Sequence, residues 1–189
     1  MKRLVIITVG KTHSGKTTFA NALKKQLNNS FVMDQDNHAE FINTYYKNLQ
    51  PKKGPNTLKH SLSRLIVDYA KEHTDFHFII CNSNRSRKGR LYLLEEVFKT
   101  DEFVRILVHF DIPDANLRER VIRSQRSTNI FRGPYTNFEE VLARQQAESL
   151  KEDVVDPIEG EADYLFVIKD NEETNSVIQK IIHIEGQLS

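Results

Sequence analysis

The stretch GKTHSGKT, from Gly10 to Thr17, decides the fold of this chain. It matches the pattern G-x-x-x-x-G-K-[ST], in which glycines allow a tight turn and bring backbone N–H groups close to phosphate oxygens. The apolar run LVIITV precedes it, from Leu4 to Val9, and the helix-like stretch TTFANALKKQL follows it. A strand, a loop and a helix therefore occur in the order that a phosphate-binding loop requires.

This Walker A pattern predicts that the chain binds ATP together with Mg2+. We expect the loop amides and the positive end of the following helix to hold the phosphates. Lys16 is placed to reach the β- and γ-phosphates, and the Thr17 hydroxyl is placed to ligate Mg2+. The predicted nucleotide-binding residues are Gly10, Lys11, Thr12, His13, Ser14, Gly15, Lys16, Thr17 and Thr18.

Length, charge and cysteine content limit the class of protein. The chain has 189 residues and a formal net charge of +1, which favours one globular domain over residues 1–189 and no stable binding to nucleic acid. No apolar run is long enough to cross a bilayer, and the N-terminal apolar run reads as a buried strand because it enters the phosphate loop directly. Cys81 is the only cysteine, so we expect no intrachain disulfide and a cytoplasmic location.

Apolar runs and helix-like stretches alternate along the chain. This order favours an α/β fold with three layers, α/β/α, around a five-stranded parallel sheet. Ligands of such sheets bind outside the carboxyl ends of the strands. The expected strands are 4–9, 31–33, 76–81, 103–110 and 164–168. The main expected helices are 17–27, 38–49, 57–71, 87–98, 138–150 and 175–184. The apolar stripe expected for the helix over 57–71 is Leu58, Leu62, Leu65, Ile66 and Tyr69.

Two carboxylates follow the second expected strand, at Asp34 and Asp36. A carboxylate within reach of a substrate hydroxyl accepts its proton as the hydroxyl attacks a phosphoryl group. We predict this role for Asp36, in a loop, and a role in Mg2+ binding for Asp34. The roles of the two residues remain interchangeable at this point, and a plain turn or helix cap is the alternative for both.

Arginines cluster in the second half of the chain. Arg120, Arg123 and Arg126 are spaced three apart, and Arg132 follows in a loop that contains Gly133 and Pro134. A planar guanidinium suits phosphate oxygens and the charge of a transition state. We predict a mobile lid over about 123–137, with Arg123 and Arg126 as catalytic candidates; a solvated helix face is the alternative.

A second basic group follows the third expected strand. It would either meet an anionic substrate or form an exposed helix start, and we favour the exposed helix start. The group consists of Arg85, Arg87, Lys88 and Arg90.

These motifs resemble the small P-loop kinases, a group that includes polynucleotide 5′-kinase, gluconate kinase, chloramphenicol phosphotransferase and the zeta toxins. The similar features are the phosphate loop, Asp34–Gln35–Asp36, Asn82–Ser83–Asn84, the arginine-rich segment 118–132, and Asp156–Pro157 before the last strand. The resemblance implies the P-loop NTPase fold with an arginine-rich lid. One feature departs from the group: its third strand usually ends in an aspartate that holds Mg2+ through water, whereas this strand ends at Cys81–Asn82.

The combined pattern predicts a kinase that transfers the γ-phosphoryl of ATP to a hydroxyl of a small molecule, a nucleoside or a polynucleotide end. A nucleoside monophosphate kinase is one alternative, and a nucleotide-binding protein or ATPase without kinase activity is the other. The GTPase patterns Asp-x-x-Gly and Asn-Lys-x-Asp do not occur, and no strand ends in Asp-Glu as in motor ATPases. The acceptor pocket is expected between the helices within 38–71.

Overall fold

The computed structural model describes residues 2–133 and 135–188, so Pro134 of the predicted lid lies outside the described residues. Its centre is a five-stranded sheet in which every neighbouring pair is parallel, in the order β2-β3-β1-β4-β5. The strands are β1 Arg3–Val9, β2 Ser30–Asp34, β3 His77–Cys81, β4 Phe103–Phe110 and β5 Tyr164–Ile168. The predicted five-stranded parallel sheet is therefore confirmed.

Helices connect the parallel strands. Two short segments differ from α-helix: a 3-10 turn over Lys47–Leu49 and a π-helical segment over Tyr92–Val97. Among residues 2–133 and 135–188, no helix is long and apolar enough to span a membrane. The α-helices are α1 Lys16–Lys24, α2 Gln35–Tyr45, α3 Thr57–His73, α4 Arg87–Leu91, α5 Asp114–Ile122, α6 Phe138–Glu148 and α7 Glu173–Gly186.

The core lies on both faces of the sheet because successive side chains of a strand point to opposite faces. Leu4 and Ile6 of β1 pack into one apolar cluster with residues of α1, α5 and α7. Val5 and Ile7 pack into a second cluster with residues of α3 and of the π-helical segment. All four of these side chains have no exposed surface. The result is the predicted three-layer arrangement, which leaves the carboxyl ends of the strands open to a ligand.

The apolar stripe predicted for α3 is wrong at two positions. Leu65 and Tyr69 are 65% and 63% exposed. The helix instead buries Ser63, Val67 and Ala70. These side chains are small, so α3 is able to approach its neighbours closely. Size and position rather than hydrophobicity decide which face of this helix is buried.

The helix predicted over 87–98 has two parts, because the amide of Phe98 donates to the carbonyl of Leu93 in the wider π pattern. The exposed helix start that we favour for the basic group is wrong for Arg90. Arg90 is completely buried and forms a bidentate ion pair with Glu161, with Nε–Oε1 at 2.5 Å and Nη2–Oε2 at 3.1 Å. Arg90 therefore joins α4 to the segment before β5 and does not meet a substrate.

Candidate functional site

A cavity of about 980 Å³ opens at the carboxyl ends of the strands. It begins at the phosphate loop and extends between α2, α3 and the segment that joins α5 to α6. The structure brings most of the predicted site residues to its wall: residues 12–18 of the loop and first turn, Asp34, Asp36 and Arg126. These residues come from three separate parts of the chain.

The backbone of the phosphate loop depends on two glycines. A Cβ at Gly10 would lie 2.9 Å from the Ser14 hydroxyl and 3.0 Å from the Phe110 Cβ, so only glycine fits there without a shift. Gly15 has a left-handed φ of 103° and precedes α1 without any side-chain cap. Because no side chain occupies the amides at the start of α1, they are available to an anion.

Lys16 lies at the centre of the loop. Its ammonium donates to the carbonyl of Lys11 and to the Ser14 hydroxyl, the latter at 3.1 Å. Burial lowers the pKa of Lys16 from 10.5 to about 8. A buried ammonium that is held mainly by neutral oxygens is stabilised by a nearby anion, which is what a phosphate would provide.

Thr17 and Asp34 form the position that fits Mg2+. The Thr17 hydroxyl donates to Asp34 Oδ2 at 3.4 Å. Burial raises the pKa of Asp34, as expected for a carboxyl that lacks a cation in direct contact. Within the described part of the chain, no group of three or more His, Cys, Asp and Glu side chains forms a metal site. A hydroxyl and a single carboxylate suit Mg2+ that is bound mainly through phosphates and water.

The end of β3 brings a thiol to this position. Cys81 Sγ lies 3.6 Å from the Thr17 hydroxyl, and burial raises the Cys81 pKa to about 12, so the thiol is neutral. The Asn82 amide, which sequence reasoning considered as a partner of a metal-bound water, donates instead to Gln35 at 2.9 Å. The carboxylate beside Thr17 thus comes from β2, through Asp34, which pairs with Cys81 in the sheet register.

Asp36 lies in the first turn of α2, so its predicted position in a loop is wrong. Asp34 caps this helix by accepting from the Asp36 amide at 2.9 Å. The Asp36 carboxylate forms a salt bridge with Arg126 at 2.8 Å, and both side chains remain partly exposed to the cavity. The Arg126 guanidinium also lies over the ring of Phe138, 5.0 Å from its centroid.

The other arginines of the predicted lid have different surroundings. Arg120 donates to the carbonyl of His13 and to Asn171, both at 3.2 Å. Arg132 donates to the carbonyls of Pro51 and Gly54. Arg123 is exposed, lies outside the cavity wall, and its side chain makes no hydrogen bond or salt bridge with the described residues. Of the two catalytic candidates, the structure therefore brings only Arg126 to the cavity.

His13 is held as a neutral imidazole in the loop. Its Nε2 lies 2.7 Å from the Ser124 hydroxyl, and its ring packs edge-on against Phe138. Burial lowers the His13 pKa from 6.5 to about 4, with further contributions from Arg126, Lys16 and Arg120. A neutral ring adds no charge to the loop, so the positive charge there belongs to the lysine and the arginines.

Some residues at the cavity carry no local sequence signal. Gln145 of α6 accepts from the Thr12 amide at 2.7 Å, and Lys59 and Arg144 also line the wall. Lys11, predicted to contact the nucleotide, directs its ammonium to Asp114 at 2.5 Å and contributes only backbone to the loop. A spacing rule does not find Gln145, Lys59 or Arg144, because their neighbours in space are distant in the chain.

Comparison with known proteins agrees with this geometry. The fold and the loop define a P-loop nucleotide-binding domain. A family profile described as an AAA domain matches residues 5–148, and the chain belongs to that family. A search of curated proteins finds no match.

Solved structures of small kinases share the fold over nearly the whole chain. Shikimate kinase from Bacteroides thetaiotaomicron is 15% identical, with a TM-score of 0.57, over 97% of this chain and 98% of its own. APS kinase from Mycobacterium tuberculosis is 14% identical, with a TM-score of 0.59, over 98% of both chains. A gluconokinase from Sinorhizobium meliloti 1021 is 14% identical, with a TM-score of 0.57, over 99% and 95%. The resemblance to small P-loop kinases is confirmed at the level of family and fold.

Proposed function

We propose that this protein is an ATP-dependent phosphotransferase that moves the γ-phosphoryl of ATP to a hydroxyl of a small molecule. One observation carries the proposal: residues 12–17 of the phosphate loop and the Asp36–Arg126 ion pair line the same cavity. A protein that only bound nucleotide would need the loop but neither Asp36 nor Arg126. The kinase names of the structural neighbours agree with this proposal. A cytoplasmic location stays a prediction from the sequence.

The loop residues would bind and orient ATP. The uncapped amides at the end of the loop and the start of α1 would bind the phosphates, and Lys16 would contact the β- and γ-phosphates. Thr17 and Asp34 would hold Mg2+, which neutralises charge on the phosphates when it is bound. Arg120 and Asn171, which join the loop to the segment after β5, would lie beside the rest of the nucleotide.

Asp36 would accept the proton of the acceptor hydroxyl. In this step a bond forms between the hydroxyl oxygen and the γ-phosphorus, the bond from that phosphorus to the β–γ bridging oxygen breaks, and ADP leaves. The present ion pair occupies the Asp36 carboxylate. We propose that the lid, about 123–137, closes so that Arg126 moves from Asp36 to the phosphates. This movement would free the Asp36 carboxylate to accept a proton and would bring the Arg126 charge to the phosphoryl group.

The simplest experiment measures ADP formation with and without a panel of hydroxyl compounds. We expect slow turnover of ATP alone and a clear stimulation by at least one compound. Lys16→Ala should abolish this transfer with the fold intact, because the variant lacks the cation that contacts the phosphates. Lys24→Ala, which removes an exposed lysine of the same helix, is the control. Unchanged turnover in Lys16→Ala would refute the assignment.

Nucleotide binding without transfer is the second candidate, and the uncharged end of β3 favours it. Tight binding of Mg2+–ATP with no stimulation by any acceptor would support this candidate. Transfer to any hydroxyl would exclude it.

A further inference from the structure

The end of the cavity away from the phosphate loop is lined by cations from three separate elements. We define the basic cluster as Lys59 of α3, Arg132 of the lid and Arg144 of α6. Among the described residues, the carboxylates of the cavity wall are Asp34 and Asp36, and Asp36 is already paired with Arg126. Neither carboxylate forms a hydrogen bond or a salt bridge with a member of the basic cluster, so the cluster has no direct anionic partner in the described part of the cavity wall.

Lys59 is the best-defined member of the cluster. It lies in the first turn of α3, and its amide donates to the cap residue Asn56 at 3.3 Å. Its ammonium is half-buried and forms no hydrogen bond or salt bridge with any residue of 2–133 or 135–188. Burial lowers the Lys59 pKa; the charges of Asp36 and Asp34 raise it in part, and those of Arg132 and Arg144 lower it further.

The two arginines also lack a strong anionic partner. Arg132 donates only to the neutral carbonyls of Pro51 and Gly54. Arg144 lies 3.8 Å from Glu148, a long salt bridge on the outer side of α6, and its guanidinium lies 4.8 Å from the centroid of the Tyr135 ring. Bringing three such groups together is unfavourable unless an anion joins them.

We propose that the basic cluster binds a negatively charged group of the phosphoryl acceptor, so that the acceptor is a small hydroxyl compound carrying a carboxylate or a phosphate. This inference rests on the proposed phosphotransferase function. The cluster holds the anionic group at one end of the cavity, and the hydroxyl then lies near Asp36. A neutral polyol would leave the three cations without a partner.

The first experiment does not require the true acceptor. The phosphate loop is filled with Mg2+ and AMPPNP, and inorganic phosphate is then titrated by calorimetry against chloride at the same ionic strength. We expect a second, saturable anion site in the wild-type protein and in Lys53→Gln, which removes an exposed lysine of the neighbouring loop. The site should be lost in Lys59→Gln. Absence of phosphate binding in the filled protein, or its persistence in Lys59→Gln, overturns the inference.

Arg144→Gln provides a second variant at an exposed position, in case Lys59→Gln does not fold. It should weaken phosphate binding in the same titration without changing the affinity for AMPPNP. Failure of AMPPNP itself to bind would refute the proposed function, a result that differs from loss of the anion site alone.

Matched pairs then distinguish the source of the anion. ATP turnover is compared for gluconate against glucitol, glucose 6-phosphate against glucose, and AMP against adenosine. We expect stimulation by charged members only, with a carboxylate or phosphate preference that identifies the class. Lys59→Gln should raise the KM of such an acceptor roughly 10- to 100-fold with kcat little changed, as for one lost hydrogen bond to a charged group. Equal turnover of neutral members, or transfer only to the phosphate of AMP, overturns the inference.

Discussion

The two ends of the cavity are built by different means. The phosphate end is built from eight consecutive residues, Gly10–Thr17, which include Lys16 and the uncapped start of α1. The basic cluster is built from side chains of α3, of the predicted lid and of α6. Backbone recognition suits a group that every nucleotide carries, whereas side chains from separate elements can change from one kinase to another. We infer that the first end fixes the reaction and the second fixes the acceptor.

The helix starts show the same contrast. Helices α2, α3, α4 and α6 each begin with a cap residue whose side chain accepts a hydrogen bond from the first turn, whereas α1, α5 and α7 have no such cap. Of these three, α1 is the helix that begins in the phosphate loop, at Gly15. A side-chain cap stabilises a helix by about 1 kcal/mol. The start of α1 forgoes this stabilisation, which is consistent with amides reserved for a phosphate.

Outside the phosphate loop, the largest expected effect on kcat is that of Asp36→Asn. The variant keeps the shape of the side chain and removes its basic oxygen, so kcat should fall about 10²- to 10⁴-fold while ATP affinity stays near normal. Steady-state kinetics of Asp36→Asn and Asp34→Asn should be compared once an acceptor is found. A normal kcat for Asp36→Asn with an inactive Asp34→Asn would reverse the two roles.

The next effect on kcat concerns Arg126, which lies in the predicted lid and forms a salt bridge with Asp36. Arg126→Ala should lower kcat about 10²- to 10³-fold, because it removes one preorganised charge from the transition state. Arg123→Ala is the matched control, since its side chain lies outside the cavity wall and should change kcat little. Equal effects of the two substitutions would contradict the role of Arg126.

Hydrogen exchange tests the closure on which this role depends. Amides of residues 123–133 should exchange more slowly when AMPPNP and Mg2+ are added, as the lid covers the phosphates. Protection limited to residues 10–18 would show that the segment is not a lid.

The smallest effect concerns charge within the loop. His13 has its pKa lowered to about 4, so the unfolded chain binds a proton between pH 6.5 and 4 that the folded chain does not. The contribution of neutral His13 to stability is therefore present above pH 6.5 and is lost as the pH falls towards 4. Urea denaturation should show a smaller loss of stability from pH 7 to pH 5 in His13→Gln than in the wild type. An NMR titration of His13 near 6.5 would contradict this prediction.

The sequence predicts the phosphate end better than the basic cluster, for a physical reason. The loop motif, the strands Phe103–Phe110 and Tyr164–Ile168 and the parallel sheet follow from local patterns, and the structure has them. The cluster depends on how α3 and α6 pack, which local patterns do not encode. The error over Leu65 and Tyr69 has the same origin, because packing leaves this part of the apolar stripe of α3 exposed.

The errors at the site are also informative. Asp36 follows a strand without a break and was expected in a loop, yet the Asp34 cap starts a helix at once. The residue that reaches Thr17 from β3 is Cys81 rather than Asn82. Both facts depend on the register of β2 against β3, which places Asp34 opposite Cys81.

The most direct test of the account follows the γ-phosphoryl group itself. The protein is incubated with Mg2+, [γ-³²P]ATP and the charged and neutral acceptor pairs, and the labelled products are separated. The account predicts label in an ester of a charged hydroxyl compound, with none in that product for Lys16→Ala. Label that appears only in inorganic phosphate, whatever compound is present, would contradict the claim that this cavity transfers a phosphoryl group to an acceptor.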